Sequence, residues 1–224
     1  MNTELFSGKA EVYADARPSY PAKAIDYICS LVPPNATFAD IGAGTGKFTE
    51  LIAKRGHPLF AVEPNADMLK QLAITLAPYP NAKVVAAPAE NTALPDSSVD
   101  IIICAQALHW FDIDAYRAEC RRIGKESCIV VAVYNVNPRG SSVKHSKDAP
   151  RAFFNNPEVR EFPNPQFYTR EQWVRYKLTH STSPVPSDAG YDAHIAEANA
   201  IFDKDSVDGI LCNQVITKVF SEKL

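Results

Sequence analysis

Phe38-Ala-Asp-Ile-Gly-Ala-Gly-Thr-Gly-Lys47 is the stretch on which the fold of this chain turns: a short strand runs into Gly42, Gly44 and Gly46, and then into a helix. Three of the nine glycines of the chain fall within five positions. Glycine lets the backbone take positive φ and lets a ligand approach with no Cβ in the way, and the helix behind presents free N–H groups. One reading is therefore a loop that holds a nucleoside-bearing ligand; the other is a tight turn between strand and helix.

Outward from this loop, between 35 and 136, short runs rich in Val, Ile and Ala alternate with helical segments, the pattern of βαβ units and a parallel sheet. Strands are predicted over 37–41, 59–63, 83–87, 99–105 and 128–134, without the strict alternation of a half-exposed sheet, so both faces are expected to carry helices. Helices are predicted over 45–54, over 66–77 with Asn65 as N-cap, and over 113–122 with Asp112 in the same role. Ahead of this core, 21–31 reads as an amphipathic helix through Ile25, Ile28, Cys29 and Leu31, preceded by an aromatic, proline-punctuated arm from Tyr13 to Pro21. Behind it, 137–150 is polar and loop-like, and 151–186 is irregular and rich in proline and aromatic residues, as suits a cover over a site. Thr169 with Gln172 is a capping-box signature, and a second helix is predicted over 191–202. Segments 209–212 and 215–220, separated by Asn213-Gln214, predict a terminal hairpin. The expected architecture is α/β and doubly wound, with a parallel core sheet closed by that hairpin and a cover inserted after strand five. It is one domain over 1–224, made of an arm and helix (1–34), a core (35–136), a cover (137–205) and the hairpin (206–224).

Composition narrows the function. The 224 residues carry 23 Lys and Arg against 26 Asp and Glu, a formal charge of −3, so there is no basic footprint for nucleic acid. With 46% hydrophobic and 22% charged residues the chain is that of an ordinary globular protein. Its five cysteines are odd in number and widely spaced, with no C-x-x-C or Cys/His cluster, which fits a reducing cytoplasm and predicts no metal site. The N-terminal stretch lacks the apolar run of a signal peptide, and no apolar segment approaches the roughly 20 residues of a membrane span, so a soluble cytoplasmic protein is expected.

The loop itself departs from two phosphate-binding patterns. The dinucleotide fingerprint G-x-G-x-x-G needs its third glycine where Lys47 stands. The phosphate loop G-x-x-x-x-G-K-[ST] fails at Ile41 and Phe48. What remains is D-x-G-x-G-x-G, with Asp40 at the carboxyl end of the first strand, where open α/β sheets bind ligands. A carboxylate there repels a pyrophosphate but suits a cation such as S-adenosylmethionine, which carries an α-ammonium and a sulfonium. The alternative is that Asp40 caps the glycine turn. Glu63 ends the second strand 23 residues later and can accept two ribose hydroxyls; otherwise it is an acid opening a turn before Pro64.

These residues, with Ala89-Glu90 and the run Asp100-Ile-Ile-Ile-Cys-Ala-Gln-Ala-Leu-His-Trp-Phe111, resemble the class I S-adenosylmethionine-dependent methyltransferases. More narrowly they resemble the type 11 methyltransferase domain family and its trans-aconitate methyltransferase-like small-molecule subgroup, to which the runs Tyr13-Ala-Asp-Ala-Arg-Pro-Ser-Tyr-Pro21 and Gln106-Ala-Leu-His-Trp110 are also similar. The resemblance implies a Rossmann-like seven-stranded sheet of order 3-2-1-4-5-7-6 with strand seven antiparallel. It gives Asp40, Gly42 and Gly44 to the methionine portion of the cofactor, Glu63 to the ribose, Ala89 and Glu90 to the adenine, and Gln106 to the methionine end and methyl-transfer channel. It also implies an N-terminal arm that covers the cofactor, with Tyr13 packing on it and Arg17 pairing with its carboxylate. Pro88 stands where many relatives carry Asp.

The implied reaction moves a methyl group from S-adenosylmethionine to a small-molecule acceptor, leaving S-adenosylhomocysteine. Such a displacement depends mainly on alignment and exclusion of water, and needs no metal. His109, after strand four, is the residue placed to serve as general base; the other reading packs His109 and Trp110 against the start of the next helix. Two functions of other classes stand beside this one, a non-catalytic adenosyl-ligand-binding module and an NAD(P)-dependent oxidoreductase.

Overall fold

The first strand of the chain, β1 (Phe38–Ile41), is buried at all four positions, and its neighbours on both sides run parallel to it: β2 (Leu59–Val62) and β4 (Val99–Ala105). Covered strands of this kind bury Phe38 and Ala39 on opposite faces, which is why the apolar runs do not alternate with polar residues. In this computed structural model residues 19–138, 144–179 and 183–224 are described.

Seven strands form the main sheet in the order β3-β2-β1-β4-β5-β10-β6, with β3 (Ala82–Val85), β5 (Gly124–Val136), β6 (Glu158–Pro163) and β10 (Ile216–Lys223) completing it. The strands from β3 to β5 are parallel, and β10 is antiparallel to both β5 and β6. Helices α1 (Ala22–Ser30), α2 (Thr49–Ala53) and α3 (Ala66–Leu76) lie on one face, where Ile25, Ile28, Ile52 and Leu72 pack with Phe38, Ile101 and Ile103. Helix α4 (Ile113–Ile123) and α5 (Lys144–Phe153) cover the other, where Tyr116, Cys120, Ile123, Phe153 and Phe154 pack with Ala39, Ile102, Val130 and Tyr134. The sheet is therefore wound on both faces, as expected. The predicted caps form: Asn65 Oδ1 accepts from the N–H groups of Asp67 and Met68, and Asp112 Oδ1 from that of Ala115.

Three expectations need correction. Helix α2 begins at Thr49 rather than 45, because the glycine loop, with Gly42, Gly44 and Gly46 all at positive φ, keeps the chain out of helical geometry that far. Residues 144–153, expected as loop, form a helix that carries Pro150 near its end. The predicted terminal hairpin does not form: Ile210–Asn213 (β9) pairs with β7 (Gln166–Tyr168) and β8 (Ser206–Val207) in a separate three-stranded sheet, while β10 pairs with β5 and β6. The edge strand β6 supplies the antiparallel partner that the hairpin was expected to supply. The cover is accordingly inserted between β6 and β10, not between strand five and a hairpin. It consists of the small sheet with α6 (Arg170–Leu178) and α7 (Tyr191–Asp205), packed around Tyr168, Trp173, Ala198, Phe202 and Leu211, and α6 opens on the predicted capping box of Thr169 and Gln172.

Candidate active site

The carboxyl ends of β1, β2 and β4 open into one cleft, lined among others by Asp40, Gly42, Gly44, Glu63 and Gln106. The backbone makes the floor. Gly42 and Ala43 donate to the Val62 carbonyl at 2.9 and 3.0 Å, so the loop is tied to the end of β2. The three glycines differ in what their missing Cβ permits. At Gly42 a Cβ would stand 2.8 Å from the Ala107 Cβ, and at Gly46 2.8 Å from Leu72 Cδ1, so those two allow close packing beneath the loop. At Gly44 nothing lies within 4 Å, which leaves its backbone bare toward the cleft.

Two acids sit on that floor. Asp40 is 1% exposed; its Oδ2 accepts from Thr49 Oγ1 at 2.6 Å, and its Oδ1 is buried with no hydrogen-bond partner among the described residues. Burial pushes this carboxyl up to about 7, against the Thr49 hydrogen bond and with a further push from the nearby Glu63. Glu63 accepts from the Gly44 N–H through Oε2 at 2.8 Å and from the Asn65 N–H through Oε1 at 2.9 Å. Burial raises its pKa too, and those two backbone bonds pull it down. Each carboxylate oxygen has two acceptor sites, so among the described residues Glu63 retains one on each oxygen. Gln106, just past β4, holds positive φ without being glycine; its N–H donates to the Val133 carbonyl at 2.8 Å and its Nε2 to the Asn135 carbonyl at 3.3 Å. Such backbone geometry at the end of a strand clusters at functional sites.

The cleft thus brings together Asp40, Gly42, Gly44, Glu63 and Gln106. It does not bring in the other sequence-derived positions. Ala89 is buried in the core beside Leu94 and Phe111, and Glu90 accepts from the Asp112 N–H at 3.0 Å, securing the stretch before α4. His109 belongs to a short 3₁₀ turn (Leu108–Trp110) with its ring 4.9 Å from that of Trp110 and 6.1 Å from that of Tyr134, outside the lining. Tyr13 and Arg17 lie outside the described residues.

Other residues of the site have no binding role assigned by the sequence: Thr49, which secures Asp40 from behind the wall, and Tyr20, Lys47, Trp110 and Phe111, which line it and lie within the quoted runs. Thr49, nine residues beyond Asp40, is a hydroxyl on the first turn of the helix that follows the loop, a signal that the local pattern does contain. Tyr20 meets Phe48 edge-on with ring centroids 5.0 Å apart, and no local pattern announces that contact.

Residues 39–132 match the sequence model of a methyltransferase domain family. Over that stretch this chain is similar to a methyltransferase domain. Among curated proteins, an uncharacterized methyltransferase of Mycobacterium tuberculosis is 41% identical over 108 residues, covering 48% of this chain and 42% of the relative. The chain spans about half the length of the curated relatives it matches. Among solved structures, a candidate type II methyltransferase from Anaeromyxobacter dehalogenans aligns with a TM-score of 0.71 at 22% identity, over 92% of this chain and 97% of that one. Geranyl diphosphate C-methyltransferase from Streptomyces coelicolor aligns with a TM-score of 0.52 at 16% identity, over 90% of this chain and 76% of that one. These likenesses agree with the seven-stranded, mostly parallel sheet of the methyltransferase domain, and they do not single out the trans-aconitate-like subgroup. No helix among the described residues is long and apolar enough to cross a membrane.

Proposed function

We propose that this chain transfers a methyl group from S-adenosylmethionine to a small-molecule acceptor. The observation that carries the reading is Asp40 Oδ1, a buried carboxylate oxygen with no partner among the described residues, on the wall of a cleft whose floor is bare backbone at Gly44. An unsatisfied buried oxygen is costly, and an ammonium group placed against it removes the cost. A pyrophosphate would meet two carboxylates there. The donor set therefore fits S-adenosylmethionine: Asp40 and the Gly42–Gly44 backbone for its methionine portion, Glu63 for the ribose through its two remaining acceptor sites, and Gln106 beside the methionine end. The Streptomyces coelicolor enzyme, whose structure contains S-adenosylhomocysteine, supports the same reading for a cleft on a similar fold.

When bound, that cofactor supplies an electrophilic methyl group on a sulfonium centre. The residues of this chain then have to bind, orient and exclude water. Asp40 and Glu63 orient by charge and hydrogen bonding, and Tyr20, Trp110 and Phe111 shield the cleft with apolar surface. Orientation alone is worth roughly 7–11 kcal/mol in a bimolecular displacement. With His109 packed among aromatic rings off the cleft wall, the reading rests on alignment rather than on a general base. Ala89 and Glu90 follow β3 outside the cleft lining, and their place near the adenine stays a proposal drawn from the family resemblance.

Calorimetric titration of the purified chain with S-adenosylhomocysteine and, separately, with NAD tests this. Saturable binding of the first and none of the second is expected; binding of NAD alone overturns the reading. Transfer of label from methyl-tritiated cofactor to a component of a cell extract separates the enzyme from a module that only binds.

A further inference from the structure

One side of the cleft is fastened to a buried polar knot that the cofactor reading does not use. Asn164, 8% exposed, follows β6 and directs its Nδ2 to the Ser19 carbonyl at 2.8 Å, to Thr217 Oγ1 at 3.2 Å and to Asn135 Oδ1 at 3.3 Å. Thr217, wholly buried on β10, stands directly opposite Asn135 on β5 and donates to its Oδ1 at 2.6 Å. Gln166, at the start of β7, donates to Asn164 Oδ1 at 2.7 Å, which orients the carboxamide with its NH2 toward the other three. Segments from four parts of the chain therefore meet on one side chain.

Two of these segments run straight into the cleft lining. The Asn135 carbonyl holds Gln106 Nε2, and Asn135 Nδ2 also reaches the Ser19 carbonyl at 3.3 Å, one residue before Tyr20. Gln106 and Tyr20 both line the cleft, and Gln106 is held at positive φ, a conformation that persists only where the surroundings over-determine it. A buried amide with all its groups satisfied rigidifies what it touches, whereas an apolar residue would take one donor away from each of the Ser19 and Asn135 oxygens.

We infer that Asn164, acting with Thr217 through Asn135, is a positioning residue for the cleft: it sets Tyr20 and Gln106 in the arrangement that receives the ligand, although it touches no ligand itself. The inference rests on the cleft being the cofactor site. Asn164→Asp keeps the size and removes the donors, and Thr217→Val keeps the shape and removes the hydroxyl. Thr92→Val is the control, since Thr92 is buried, bonded to Glu119 and not part of the cleft lining.

Hydrogen exchange read by mass spectrometry on the ligand-free chain, with calorimetric affinity for S-adenosylhomocysteine and melting temperature alongside, is the test. Both knot variants are expected to speed exchange at Ser19 and Tyr20 and at 106–108, and to weaken binding at least tenfold well below their melting points. The control is expected to lower the melting temperature while leaving those amides and the affinity unchanged. Knot variants that lose stability yet show wild-type exchange at both segments, or wild-type affinity, overturn the inference; if Asn164→Asp does not fold, Thr217→Val decides it. If the wild-type chain does not bind S-adenosylhomocysteine but the exchange pattern holds, the cofactor reading falls while the fastening of the two segments stands.

Discussion

Burial pushes the Asp40 carboxyl up to about 7, far above the usual value of about 3.9 that it regains on unfolding. Between those values the folded chain holds a proton that the unfolded chain has lost, so stability falls as pH rises from about 4 to about 7 and levels off above. Glu63, also raised by burial, adds to the same fall. Thermal denaturation of the ligand-free protein across pH 4–9 is expected to show this decline, and Asp40→Asn to flatten it, leaving the part due to Glu63. Under the proposed function ligand binding has the opposite sign, because an ammonium partner requires the carboxylate form. Affinity for S-adenosylhomocysteine is expected to weaken as pH drops below about 7 in the wild type and to lose that dependence in Asp40→Asn. Asp40 and Glu63 were legible from the sequence because each stands at the end of an apolar strand, Asp40 before the glycine turn and Glu63 before Pro64. Their hydrogen-bond partners were not: Thr49 reaches Asp40, and the Gly44 N–H reaches Glu63, only once strand and loop are folded together.

At the level of elements, legibility followed local chemistry. Asn65 was readable as a cap because its side chain serves two N–H groups within three residues of itself. Asn65→Ala is expected to cost about 1 kcal/mol of stability, read from a shift in the denaturation midpoint at constant slope. The Thr169 capping box was readable for the same reason. Strand β6 was not, since Glu158, Arg160 and Glu161 make it a charged, largely exposed edge with no apolar alternation, the form natural edge strands take to avoid pairing with other chains. Helix α5 escaped notice because its polar run and Pro150 resemble a loop, while the burial of Phe153 and Phe154 at its end comes from packing against Tyr116 and Phe220.

For the whole molecule, the last strand has the greatest consequence. β10 lies inside the sheet, paired over eight residues with β5 and over six with β6, and its Val219 is fully buried. A hairpin at the edge could be trimmed at modest cost; an interior strand cannot, because its removal strips hydrogen-bond partners from two others. Deleting 216–224 is therefore expected to abolish cooperative thermal unfolding and native near-ultraviolet circular dichroism. By itself the sequence determined the parallel core, the glycine loop, the helix caps and the acids at the strand ends, since each depends on residues close together in the chain. Only the tertiary structure decided where β10 inserts, that His109 packs off the cleft wall, and that Ser19 meets Asn164 across 145 positions. Contacts at such separation are chosen by which buried surfaces and polar groups can be satisfied at once, and no local periodicity encodes that choice.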